Sequence, residues 1–502
     1  MRKRFFLIIL YLYFFSFVIY GQKILGGPYL ADMTSHSIVI RWVSEKKNEF
    51  KVIYGEPQKV HKASFIKSVP GGFLYEARLT GLTPDKKYDY KILLGKTKLA
   101  QSFFTCVSKH RPGYTVVVMG DSRSHTDVFS QIMKQIDTIH PDAIISMGDL
   151  VEEGGVGRQW AEQFFSAADD VIDHIPFISA LGDHEGDSDK GRLFRDFFFP
   201  KLNLNQLWYS FDIGNIHFVA LDYRHPESKA MAAWFKKDMQ AHPSQWKIVF
   251  MHRPCYNLGG HRSMWGKRTW PKLFRKFKVD FVFAGHSHIY ERFYPVRPSG
   301  TKEWPVTYIT TGGAGAGLYE INKSPFLAKA KSIHHYIVMQ VQGNQLTMTV
   351  YSLNGKVIDK LYLTKKLSGY DRNYSRLIKP QEQLDAVMMF LHAVSDSLTS
   401  VPLYSVPAKR IIELESIKNV GDIPFRIFLS RESVGHYKME PFEWVLRRNE
   451  KLTVPLKIFS LGEMQVSEWG DIKPALKLEC IFKLKGKTFT VRSGNLGYWP
   501  VE

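Results

Sequence analysis

Short apolar runs closed by polar turns recur along this chain, and their period changes from one region to the next. From 22 to about 108 they alternate with period two, over 37–43, 50–54, 74–79 and 88–92. Successive side chains of a strand face opposite ways, so this alternation predicts half-buried strands, and the Gly and Pro residues between them predict a small β-sandwich. From 113 to 365 the pattern is mixed. Solidly apolar runs at 115–119, 143–147, 177–181, 247–250 and 281–284 predict buried strands, while Val128, Ile132, Ile136 and Ile139 repeat at helical spacing between the first two. Strand, helix, strand is the unit of a parallel sheet. The later runs 306–310, 336–339 and 346–350 are richer in β-formers, so two sheets packed face to face with helices outside are expected.

Within 366–406, Leu384, Val387, Met388, Leu391, Val394 and Leu398 fall on one face of a predicted helix, a core stripe or a bridge between domains. Beyond it, 410–414, 425–429, 452–459 and 476–484 predict a β-rich C-terminal domain over 407–502. Its role, whether interaction, attachment or stabilisation, is open.

The ends of the five central strands carry the chemistry. They read Gly120-Asp121-Ser122-Arg123, Gly148-Asp149-Leu150-Val151, Gly182-Asp183-His184-Glu185, Met251-His252-Arg253 and Gly285-His286-Ser287-His288. Ligands of open α/β sheets gather beyond the carboxyl ends of strands, so three carboxylates and three imidazoles can meet there. Such donors suit divalent Mn, Zn or Fe, and six are enough for two ions that share a carboxylate. A single Gly-Asp after a strand is usually a turn with Asp capping the next helix. Five such ends in order carry far more weight than one.

These five segments resemble the five blocks of the calcineurin-like metallophosphoesterases, in particular the purple acid phosphatase branch, and Gly285 to Arg292 is the most specific of them. The resemblance implies an α/β fold, the four-layer α-β-β-α metallophosphoesterase sandwich, spanning 113–365 and flanked by N-terminal and C-terminal β-sandwich-like domains. The run Leu79 to Pro84 leading to Tyr88 is similar to the corner of fibronectin type III domains, which would make 22–108 a domain of that kind. The resemblance also implies a hydrolase of phosphate esters with two divalent ions as cofactors. One would be held by Asp121, Asp149 and His288, the other by Asp149, Asp183, His252 and His286. A hydroxide bridging them would attack phosphorus, and His184 would protonate the leaving oxygen or else orient Asp183.

The chain departs from the family at three positions. Purple acid phosphatases place a tyrosine three residues after the bridging Asp, where this chain has Glu152. Relatives lacking it offer His two residues after the first Asp, where this chain has Arg123. The first ion thus loses both usual fourth ligands. Arg123 cannot ligate a cation, but its fork of donors suits phosphoryl oxygens, making it a substrate clamp or an ion-pair partner. Asp183 replaces the family's Asn and adds a negative charge that the positive charge of Arg123 can offset.

Arg2-Lys3-Arg4 followed by the apolar run 5–20 fits a signal peptide over 1–21, with an uncleaved membrane anchor as the alternative. Export, periplasmic or extracellular, is therefore expected. Three cysteines, Cys106, Cys255 and Cys480, exclude a disulfide framework. The formal charge of +20 is scattered rather than clustered. It suits small phosphorylated substrates or an anionic envelope surface, or is simply a solvated face, and no specific nucleic acid is expected. The expected function is a secreted or periplasmic phosphoesterase. The alternatives are a catalytically weakened, metal-stabilised binding protein of the cell envelope and a secreted nucleic-acid binder.

Overall fold

The computed structural model describes residues 23–399 without interruption and, beyond them, 408–415, 422–429, 437–440, 443–460, 476–484 and 487–493. The proposed signal segment lies outside the described residues. Among those described, no helix is long and apolar enough to cross a membrane.

Two seven-stranded sheets form the centre. In the first, β1 (Tyr114–Met119), β2 (Ala143–Ser146) and β3 (Phe177–Ser179) run parallel, and β1 continues into the antiparallel strands His335–Gln342, Gln345–Ser352 and Val357–Lys366. In the second, β4 (Trp246–Met251) and β5 (Phe281–Ala284) are parallel neighbours, flanked by Ile216–Ala220 and Thr307–Thr311. Alternation decides the layers. Val116, Val118 and Ile145 from one sheet share a core with Phe218, Ile248, Phe250 and Phe283 from the other. Their sequence neighbours Val117, Ile144, Val249 and Val282 belong to a second core that includes Phe129, Ile132 and Ile136 of the helix Thr126–Ile139 and Met231 and Phe235 of the helix Lys229–Ala241. Helix, sheet, sheet, helix is the four-layer arrangement that the sequence predicts.

Residues 24–105 form two four-stranded antiparallel sheets around Trp42, Phe50 and Tyr75, with the Trp42 and Tyr75 rings stacked at 5.9 Å. At the corner after Leu79, the Thr83 amide donates to the Tyr88 hydroxyl at 2.8 Å. This sandwich is docked through polar anchors. Arg41, 1% exposed, pairs with Asp32 and Glu76 and donates to the Phe198 carbonyl, while Tyr29 and Tyr90 donate to the carbonyls of Phe197 and Asp173.

The helix Gln381–Thr399 buries Leu384, Val387, Met388, Leu391 and Val394 as expected; the side chain of Leu398 lies outside those described. Phe390 on the same helix meets Phe425 and Phe482 of the C-terminal β region edge-on. There the described strands form a three-stranded and a four-stranded sheet. All three cysteines are buried and free.

Candidate metal centre

Each of the five strand ends turns sharply, and three of the turning residues bear side chains in left-handed backbone. Asp121 has φ 60°, Asp149 φ 55° and His286 φ 66°. That region disfavours any residue with a Cβ, so the surrounding frame must hold these conformations. It does so by hydrogen bonds between turns. The Asp121 amide donates to the Gly148 carbonyl, the Arg123 amide to Asp149 and the Gly285 amide to His252. The turns also pack too closely for a side chain at two glycines. A Cβ on Gly182 would lie 2.0 Å from the Asp149 nitrogen, and one on Gly285 would lie 2.3 Å from Asp121 Oδ2. The glycine-rich loop 312–317 borders the site, where Ala316 donates to the Asp121 carbonyl and Gly317 accepts from His288.

The six residues expected as ligands converge. Asp121, Asp149, Asp183, His252, His286 and His288 are all buried. His252 Nε2 lies 3.1 Å from Asp183 Oδ1 and 3.4 Å from Asp149 Oδ1, His286 Nδ1 lies 2.9 Å from Asp183 Oδ2, and His288 Nε2 lies 3.6 Å from Asp121 Oδ1. Tautomers are fixed from behind. Nδ1 of His252 donates to the Met147 carbonyl and Nδ1 of His288 to Gly317, which leaves each Nε2 directed to the carboxylates. His184 is arranged likewise, with Nδ1 donating to the Glu152 carbonyl and Nε2 standing 3.9 Å from Asp149 Oδ2.

The electrostatics call for a cation. Burial, followed by the charge of Asp149 and Asp183 and opposed by His252, raises the Asp121 carboxyl well above the usual range. His252 is pushed up to about 10: burial opposes the charged imidazolium, but Asp149 and Asp183 outweigh it. Burial also works against ionisation of Asp183, yet His252 and His286 hold its carboxyl far below the ordinary value. Crowded carboxylates facing neutralisable imidazoles are the donor set of a divalent ion. Three donors each from Asp183, His252 and His286, from Asp149, Asp183 and His184, and from Asp121, Asp149 and His252 lie within 4.8 Å of one another.

The departures from the family pattern find local partners. Arg123 Nη1 donates to Glu152 Oε1 at 2.6 Å, Ser124 donates to Glu152 Oε2, and Arg123 Nε stands 3.6 Å from Asp149 Oδ2. Glu152 is thus held by a guanidinium. The extra charge of Asp183 has its own partner, because two N–H groups of Arg253 donate to Asp183 Oδ2 at 2.8 and 3.1 Å. The charge offset expected from Arg123 alone is therefore shared between two guanidiniums.

An open pocket of about 460 Å³ gives access, lined by Arg123, Glu152, His184, His261, His286 and Tyr319 among others. His261 and Tyr319 do not emerge from the sequence patterns. His261 stacks on His286 at 4.4 Å, and burial together with the neighbouring His286 lowers it to about 2; Tyr319 stacks on His288 at 4.4 Å. Glu185, fully buried, accepts from the amides of Asp149, Leu150, Val151 and Gly182, bracing two ligand turns at once. Of these three, only Glu185 carries a sequence signal, its place within the third ligand block.

A four-layer sandwich with carboxylates and imidazoles at its strand ends defines a metallophosphoesterase domain. Residues 114–290 match the model of the calcineurin-like phosphoesterase family, and the chain is similar to purple acid phosphatases. The chain is 27% identical over 310 residues to the probable inactive purple acid phosphatase 27 of Arabidopsis thaliana, covering 49% of this chain and 50% of that one. It is 24% identical to the acid phosphatase type 7 of Danio rerio, over 67% of this chain and 90% of that one. The purple acid phosphatase PPD1 of yellow lupin (Lupinus luteus) seeds shares the fold, with a TM-score of 0.60 and 19% identity over 68% of this chain and 75% of that one. The matches to the first curated relatives span about half of their length. The fold implies divalent metal, and the clustered donors fit it.

Proposed function

We propose that this protein hydrolyses phosphate esters at a divalent metal centre, as an exported enzyme acting on small phosphorylated substrates. The convergence of Asp121, Asp149, Asp183, His252, His286 and His288 beneath an open pocket carries this reading. Those six are the proposed ligands, for Mn, Zn or Fe. Divalent metal bound there supplies Lewis-acid activation of water and neutralises charge on the phosphoryl oxygens.

The chain's own groups do the rest. His184, with Nδ1 tied to the Glu152 carbonyl, presents Nε2 toward the pocket and delivers its proton to the departing ester oxygen. Arg123 lines the same pocket, where its guanidinium would face a phosphoryl oxygen. The second reading, a binding protein with weakened turnover, draws support from the Arg123–Glu152 pair at the two departure positions. Turnover of phosphomonoesters and diesters, with and without chelator, separates the two. Asp149→Ala is expected to abolish turnover and most metal binding in a chain that still folds. Full activity in strong chelator would sink the hydrolase reading as stated.

A further inference from the structure

The pocket holds one fixed cation already. Arg123, only 6% exposed, lies with Nε 3.6 Å from Asp149 and Nη1 2.6 Å from Glu152, and no pH that the protein survives removes its charge. The donors divide unevenly around it. Asp183, His252 and His286 are within ligating reach of one another, with Asp149 Oδ1 3.4 Å from His252 Nε2. On the other side, Asp121 lies within the same reach of Asp149 and His252 but already accepts two contacts from the His286 amide, and Glu152 is engaged by Arg123 and Ser124. Among the described residues, His288 joins no group of three donors as close as those.

Charge balance points the same way. Arg123 already offsets negative charge of the Asp149–Glu152 pair, as Arg253 does for Asp183 and Asp187. An ion on the Arg123 side would sit beside a guanidinium 3.6 Å from the shared carboxylate, where like charges repel in a poorly screened interior.

We infer that Arg123 takes the place of one cation, so that the centre binds a single divalent ion through Asp149, Asp183, His252 and His286. This departs from the two-ion expectation, and it rests on reading the pocket as a metal-dependent hydrolase.

The test uses the full chain, stripped with chelator and dialysed against Mn²⁺. Bound metal per chain is measured by mass spectrometry, the spin state by electron paramagnetic resonance, and ester turnover in the same samples. The native protein is expected to hold one Mn per chain with the spectrum of isolated ions. Arg123→His, which exchanges the cation for a ligand, should double the metal content and produce exchange coupling. Arg123→Ala serves if that variant does not fold, with a second, weaker ion expected. Two coupled ions in the native protein would overturn the inference, and so would one ion in native and variant alike. One bound ion without turnover would sink the hydrolase reading while supporting the ion count; two ions with turnover would do the reverse.

Discussion

Asp183 and Arg253 show what a single substitution requires of its surroundings. A carboxylate at this buried position needs a counter-charge that an amide would not, and the guanidinium of Arg123, two residues after Asp121, is already engaged with Glu152. Arg253 follows the ligand His252 and supplies it instead. A double-mutant cycle on Asp183→Asn and Arg253→Ala, read as metal affinity, should therefore give an interaction of about 0.5–3 kcal/mol. The cycle on Asp183→Asn and Arg123→Ala should be nearer additive. The opposite ranking would place the counter-charge at Arg123. His184 permits a separate test, since Nε2 is its one nitrogen not tied to Glu152. His184→Ala should slow esters with poor leaving groups more than activated aryl esters, with metal content nearly unchanged. Equal losses would assign His184 to orienting its neighbours.

At the scale of elements, the strand-to-turn junctions do most to build the site. Gly182 lets the third turn pass against the second with no room for a methyl group. Gly182→Ala should destabilise the fold by about 1–3 kcal/mol or more and weaken metal binding, because it separates Asp149 from Asp183. Unchanged stability and metal affinity would mean that the turns have slack. These junctions were legible in the sequence because an apolar run, a glycine and a ligand lie in adjacent positions. Other elements were not. The strand Ile24–Ala31 contains Gly26, Gly27 and Pro28, which signal a turn by composition, yet it pairs with Ser37–Ser44 through shifts in register. The anchors Arg41, Glu185 and Arg253 are ordinary charged residues until the fold supplies their distant partners. His261 and Tyr319 stack on ligands from loops whose positions no period encodes.

At the scale of the molecule, the N-terminal sandwich and the central sheets meet around a titratable clamp. His174 bonds Asp173 through Nδ1 at 2.6 Å and Asp137 through Nε2 at 2.8 Å, and its ring stacks on Phe103 of the sandwich at 4.8 Å. Burial disfavours its charged form, but the two carboxylates prevail and raise its pKa above 6.5. A raised folded pKa contributes stability in full below about 6.5, the unfolded value, and the contribution disappears as pH rises through the folded value. Thermal melts of the native chain and His174→Gln should thus differ most below about pH 6.5 and converge as pH rises through the folded value. A difference independent of pH would assign the effect to packing alone.

The left-handed backbone at Asp121, Asp149 and His286 is secured by hydrogen bonds and close glycine contacts within the protein. Residues in that region cost on the order of 1–3 kcal/mol each, and the packing of the surrounding sheets offsets that cost. Protein contacts thus hold the turns that present the ligands, and divalent metal bound there would add stability by mass action, logarithmically with its free concentration.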